Sequence, residues 1–244
     1  MSTLIIPDWP APARVRSCST TRHGGFSEGA YHSLNLGAHV GDDLATVEKN
    51  RRQLCSLAGL PAMPHWLNQV HGTQLVTLPG NANSVPDADA VTTTQTGQVC
   101  AVMTADCLPV IFCSADGLQV AAAHAGWRGL CNGVLENTLA GFRVPASEIL
   151  AWMGPAIGPQ AFEVGPEVRA AFLAQDSAAT QAFTATADGK YLADLWSLAR
   201  MRLHRAGVKQ IFGGGLCTYS GSDDFFSYRR ERVTGRLATL VWLL

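Results

Sequence analysis

The chain has 244 residues, 47% of them hydrophobic and 15% charged, and a formal net charge of −1 at pH 7. This composition describes a folded globular protein and excludes a disordered one. It offers no long-range attraction for nucleic acid or an anionic membrane, and no apolar run approaches the roughly 20 residues that span a bilayer. Met1 to Pro10 lacks a basic segment followed by an apolar stretch, so no signal peptide is read there and a cytoplasmic location is expected.

Asp42, Asp43 and Leu44 read as a helix start, with helical spacing through Leu54 and Leu57 to a stop at Gly59. Pro79 to Pro86 is rich in turn formers and predicts a loop. Val99 to Cys113 and Leu118 to His124 read as buried strands around a turn at Ser114 to Gly117. Asn132 to Phe142 predicts a helix with Val134, Leu135 and Leu139 inward. Asp194 to Ala206 is the clearest amphipathic helix, with Leu195, Leu198 and Leu203 inward, arginines outward and Gly207 closing it. Strands are predicted again at Val208 to Phe212 and Leu237 to Leu244. Gly213, Gly214 and Gly215 do not have the spacing of a dinucleotide fingerprint. Strands interrupted irregularly by helices indicate an α+β fold rather than a regular βαβ repeat. No repeat, low-complexity tract or charged linker divides the chain, so residues 1–244 read as a single domain.

Three stretches carry most of the chemistry: Gln69-Val70-His71-Gly72, Thr104-Ala105-Asp106-Cys107 and His124-Ala125-Gly126-Trp127-Arg128-Gly129. Imidazole nitrogen and thiolate sulfur are favoured zinc ligands, and three protein ligands with one open position is the catalytic arrangement of that metal. Two other readings of the same residues stand beside this one. Cys107 could be a nucleophile with His124 as its base and Asp106 orienting the imidazole, as in a hydrolase or amidase. The histidines could instead be ordinary hydrogen-bonded residues and Cys107 part of the core. The seven cysteines are an odd number scattered among apolar residues, so most read as buried free thiols, Cys100 and Cys113 above all. Cys107 differs because Asp106 precedes it and Pro109 follows closely, which predicts a strand end or turn, where site residues concentrate.

These three stretches, with Ser33-Leu34-Asn35-Leu36-Gly37, Gly154-Pro155-Ala156-Ile157-Gly158 and Phe226-Ser227-Tyr228-Arg229-Arg230, resemble a bacterial family. It was once labelled multicopper polyphenol oxidase or laccase-domain, and its members are now described as purine nucleoside phosphorylases and, in some bacteria, as a peptidoglycan editing factor. The likeness runs in order from about Ser17 to the C-terminus. It implies one domain with mixed β-sheets packed between helical layers, an α/β/β/α-like sandwich. It also implies that His71, Cys107 and His124 are the metal ligands and catalytic centre. The implied activity is zinc-dependent phosphorolysis of adenosine, inosine, guanosine and 5′-methylthioadenosine, with adenosine deamination as a second activity. The alternative is a Cys/His amidase that edits misincorporated amino acids in cytoplasmic peptidoglycan precursors. The older laccase label does not fit the residues: the seven histidines include no pair two positions apart, so a multicopper cluster cannot be built. Cu²⁺ can nevertheless displace zinc from such ligands in vitro.

Phosphorolysis calls for purine nucleosides and phosphate as partners, and the planar fork of Arg suits phosphate. Arg51 and Arg229, inside family motifs, are the candidates. Arg128 lies in the His124 motif, while Arg202, Arg205 and Arg232 read as solvated surface. Asn35 and Gln69 carry amides suited to ribose or base edges, although Asn35 could equally hold its own turn. Trp127 and Phe226 read as packing residues. Asp87 or Asp89 could orient a ligand histidine. Nothing in the sequence selects an oligomeric state.

Overall fold

The computed structural model describes residues 2–80 and 85–244, so the predicted loop at Pro79 to Pro86 lies partly outside the described residues. In chain order the elements are β1 (Leu4–Ile5), β2 (Val15–Thr20), α1 (Leu44–Ala58), β3 (Leu75–Leu78), β4 (Ala90–Thr93), β5 (Val99–Thr104), β6 (Leu108–Ser114), β7 (Val120–Ala125), α2 (Trp127–Asn132) and α3 (Val134–Ala140). They continue with β8 (Ile149–Met153), β9 (Glu163–Val164), α4 (Pro166–Gln175), β10 (Phe183–Ala185), β11 (Tyr191–Ala193), α5 (Leu195–Arg205), β12 (Gln210–Gly213), α6 (Tyr228–Glu231) and β13 (Leu237–Leu243).

Strands β4 to β8 and β13 are buried along their whole length, so each must be covered on both faces. Two sheets achieve this. One has four antiparallel strands in the order β1-β2-β13-β5; the other is mixed, in the order β12-β8-β6-β7-β4-β3, with parallel pairs at its two edges. A small sheet, β10-β11-β9, lies apart from them.

Period-two alternation then assigns side chains to three cores. Cys100 and Val102 of β5, Ile111 of β6, Ala122 of β7 and Val241 of β13 fill the space between the sheets. Ala101 and Met103 of β5 and Leu240 of β13 face outward onto Leu34, Leu36 and α1 through Leu54. Val110 and Phe112 of β6 and Ala123 of β7 face Val134, Leu135, Leu198 and Leu203 of α3 and α5. The order of layers is helix, sheet, sheet, helix, which is the α+β sandwich expected of the resemblance.

Helix α1 ends where its local signals put it. The Asp43 carboxylate accepts from Thr46 N–H at 2.8 Å, and Gly59 takes the left-handed conformation. Of the two leucines that mark its spacing, Leu54 is fully buried and Leu57 is exposed. Helix α5 buries Leu195, Leu198 and Leu203 as predicted and is capped by Asp194. Not all of its arginines are solvated: Arg202 pairs with Glu136 at 2.8 Å and donates to the Cys131 carbonyl.

Two boundaries differ from the sequence reading. Helix begins at Trp127 rather than Asn132 and breaks at Gly133, whose φ of 103° is left-handed. The run Val99 to Cys113 is two strands in different sheets, divided at Ala105-Asp106-Cys107. Asp106 makes the division, with φ at 89° and its carboxylate accepting from the Thr218 hydroxyl (2.7 Å) and Arg229 N–H (2.6 Å).

Candidate metal centre and substrate cleft

Cys107 sits at the crossover from one sheet to the other, one residue before β6. Register pairs Pro109 with His124 and Leu108 with Ala125, which brings the thiol beside the end of β7. His124 shares strand parity with Val120 and Ala122, which face the space between the sheets. Its imidazole therefore points to the same side as these residues, near the C-terminal end of β7.

His71 arrives on the loop between Gln69 and Gly72. That loop is tied at both ends. The Gln69 side-chain amide donates to the Met103 carbonyl and accepts from Met103 N–H, both at 2.7 Å. The Asp89 carboxylate, fully buried, accepts from the backbone N–H groups of Val70 (3.2 Å), His71 (3.0 Å) and Gly72 (2.6 Å). It also accepts from His124 Nδ1–H at 2.7 Å, which leaves His124 Nε2 for other use. His71 adopts φ of 60°, unusual for a residue with a side chain. The turns that deliver His71 and Cys107 thus each contain a left-handed non-glycine residue, the kind of local strain that accumulates at functional sites.

The outcome is a cluster. One ligand atom each from His71, Cys107 and His124 lie within 4.8 Å of one another, with Cys107 Sγ 3.8 Å from His71 Nε2. No fourth His, Cys, Asp or Glu joins them among the described residues. A Cβ on Gly126 would come within 2.9 Å of the His71 ring and 3.0 Å of Cys107 Sγ, so the absent side chain is what leaves room for the three to converge. His71 is exposed and His124 buried, so the cluster has one open side.

Electrostatics pair a Cys107 thiolate with a protonated His124, which must give up its Nε2 proton before it can bind a metal. Burial raises the Cys107 thiol, yet the charge of His124 and hydrogen bonds from His124 and His71 outweigh it and lower the pKa to about 6. Burial lowers His124, while the Cys107 thiolate and the Asp89 hydrogen bond raise it to about 9. Burial likewise opposes ionisation of Asp89, but the hydrogen bond and charge of His124 and the backbone donors hold its carboxyl below the usual range. A soft thiolate with two imidazoles, one locked in its tautomer by a buried carboxylate, suits a borderline-soft divalent ion.

The cluster forms the floor of a cleft of about 380 Å³, within the range of small-molecule sites. Gln69, Met103, His39, Tyr228 and Arg236 line its walls. A second cleft of about 380 Å³ shares His39 and Met103 with it and is lined also by Arg51 and Trp66.

Gln69 lines the cleft, but both ends of its amide are held by Met103. Arg51 reaches the second cleft, stacked 4.5 Å over Trp66 and donating to the Leu36 carbonyl. Asn35 is fully buried and holds its turn, accepting from Gly37 N–H and Arg236 N–H (both 2.9 Å) and donating to Asp42. The Arg229 side chain turns towards the Ala161 and Glu163 carbonyls, while its backbone N–H holds Asp106. Arg128 is exposed and Phe226 is fully buried. Asp89, not Asp87, orients the histidine; Asp87 accepts from Asn68. His39, Tyr228 and Arg236 were not singled out by sequence reasoning. Tyr228 lies inside a quoted motif, but neither spacing nor composition distinguishes His39 or Arg236 from surface residues.

The described residues thus form two packed sheets between helices, with a Cys/His₂ cluster open to a cleft. The chain matches the family model described as multi-copper polyphenol oxidoreductase laccase over residues 16–244. It is 56% identical over 244 residues to the purine nucleoside phosphorylase YfiH of Escherichia coli strain K12, covering 100% of both chains. It is 53% identical to the purine nucleoside phosphorylase PA4543 of Pseudomonas aeruginosa, covering 100% of this chain and 99% of that one. Its fold superposes on the crystal structure of the Neisseria meningitidis protein NMB0706 with a TM-score of 0.96 at 51% identity, covering 99% of each chain. The chain therefore belongs to the multi-copper polyphenol oxidoreductase laccase family.

Proposed function

We propose that the protein is a zinc-dependent purine nucleoside phosphorylase, acting on adenosine, inosine, guanosine and 5′-methylthioadenosine, with adenosine deamination as a second activity. The observation that carries the reading is the three-ligand cluster with one open side on the floor of a nucleoside-sized cleft. Relatives named purine nucleoside phosphorylase over their full length support it. A family name referring to several coppers does not match one three-ligand cluster among the described residues. The seven free thiols accord with a reducing cytoplasm, and no described helix is long and apolar enough to cross a membrane.

His71, Cys107 and His124 would hold the ion, which when bound supplies a Lewis acid beside the substrate. In phosphorolysis a phosphate oxygen forms a bond to ribose C1′ as the bond from C1′ to purine N9 breaks. The departing base keeps that electron pair and takes up a proton. The chain's own part is positioning. Asp89 holds the His71 loop and the His124 ring in one geometry, so both ligands are preorganised. Met103 and Tyr228 offer apolar walls for a purine, and Gln69 fixes the wall formed by β5. Asn35 and Arg229 act at one remove, through the backbone of Arg236 and the carboxylate of Asp106.

The test is metal content and phosphorolysis of the wild type beside Cys107→Ala. Near-stoichiometric zinc and nucleoside-dependent release of purine base in the wild type, both lost in a folded Cys107→Ala variant, are expected. Full phosphorolysis by the zinc-free variant would refute the reading.

A further inference from the structure

We infer that His39, Arg236 and Arg51 form an anion subsite at the junction of the two clefts, and that inorganic phosphate, the co-substrate of the proposed phosphorolysis, binds there. The inference rests on the phosphorylase reading for the identity of the anion.

His39 is one of two residues shared by both clefts, so it stands where they meet. Arg236 lines the first cleft beside Cys107, and Arg51 lines the second. Neither guanidinium forms an ion pair with a carboxylate among the described residues. Each is instead held by backbone carbonyls: Arg51 by Leu36, Arg236 by Thr234 and Gly235 through one terminal nitrogen. Arg236 Nε and its second terminal nitrogen make no hydrogen bond among the described residues. The anchoring orients both groups without neutralising them.

Partial burial and the charges of Arg236 and Arg51 lower the His39 pKa, so at neutral pH the ring is an uncharged hydrogen-bond donor between two fixed cations. Gly37 adds a steric reason for the placement. A Cβ there would lie 2.7 Å from Arg236 Cγ, so this glycine of the Ser33 to Gly37 motif admits the arginine stem. Two half-buried guanidinium groups, neither in an ion pair, flanking a neutral donor are arranged for a dianion. Its position within reach of the metal-side cleft is where a nucleophilic phosphate is needed.

Two readouts test this on the zinc-loaded protein. Inorganic phosphate should raise the melting temperature of the wild type without nucleoside, and Arg236→Gln should abolish that rise. In steady-state phosphorolysis Arg236→Gln should raise KM for phosphate about 10- to 100-fold, the loss of a charged hydrogen-bond donor, with KM for inosine and zinc content unchanged. His39→Gln, which keeps a donor, should have a smaller effect, and it serves as second variant if Arg236→Gln does not fold. An unchanged KM for phosphate in a folded, zinc-loaded Arg236→Gln enzyme would overturn the subsite while leaving the phosphorylase reading intact. If the wild type cleaves no nucleoside yet phosphate still stabilises it through Arg236, the subsite stands and the phosphorylase reading falls. Tighter Arg236-dependent binding of a nucleoside 5′-monophosphate than of inosine would overturn the co-substrate assignment, because the anion held there would then be an ester of the substrate.

Discussion

Asp89 is the residue on which the site depends most. One buried carboxylate fixes a loop through three backbone N–H groups and selects the tautomer of His124. The consequence is measurable at Cys107. With the metal stripped, the thiolate should form from about pH 6 upward instead of near 9. The folded value lies below the unfolded one, so this group's contribution to stability grows as pH rises from 6 to 9 and is lost as pH falls through 6. His124 runs the other way: its raised value contributes below 6.5 and is lost as pH rises through 9, so the two trends offset one another between those values. The thiolate ultraviolet absorbance of the metal-free protein, titrated with pH, reads the first effect directly. His124→Gln should move the midpoint back up towards the ordinary thiol range; a wild-type midpoint already near 9 would refute the account.

At the scale of elements, legibility followed how local the determining signal is. Helix α1 was readable from both ends because a cap and a glycine stop act within one turn of the backbone they satisfy. Asp43→Ala should therefore cost about 1 kcal/mol, seen as a lower melting temperature, while zinc content stays the same. A drop in zinc content would mean that α1 and the cluster are more tightly coupled than their separate cores indicate. The β5–β6 crossover was not readable as a change of sheet. Asp106 and Pro109 mark a strand end there, but both strands are apolar on both faces, so nothing local signals that the chain changes sheet, and the left-handed turn at Asp106 is stabilised by Thr218 and Arg229 from the far end of the chain. The early start of helix at Trp127 was missed for a related reason: Gly126 supplies no side-chain cap.

For the whole molecule, the three cores share strands: β5 and β13 serve the two cores flanking their sheet, and β6, β7 and β8 the two flanking theirs. Removing packing from one core should weaken all of them together. Ile111 is fully buried between the sheets, and Ile111→Ala should cost about 2–5 kcal/mol. Its denaturant unfolding, followed by fluorescence and by circular dichroism, should give coincident single transitions. Separate transitions would show that the layers fold independently. The site is tied to this architecture because the cluster sits where one sheet hands the chain to the other.

Capping, periodicity and side-chain chemistry are local properties, so the ends of α1, the apolar faces of α3 and α5 and the His and Cys residues of the cluster are legible in the sequence. The tertiary structure alone decided which residues meet. Asp89 rather than Asp87 reaches His124 because the pairing of β4 with β7 sets Asp89 opposite His124, while Asp87 is bridged to Asn68. Asn35 holds a turn and the Arg229 guanidinium two backbone carbonyls, Ala161 and Glu163, because backbone groups at those places had first claim on them. His39 and Arg236, from opposite ends of the chain, share one cleft because β13 lies between β2 and β5. Such a pairing between distant segments leaves no trace in the periodicity of either.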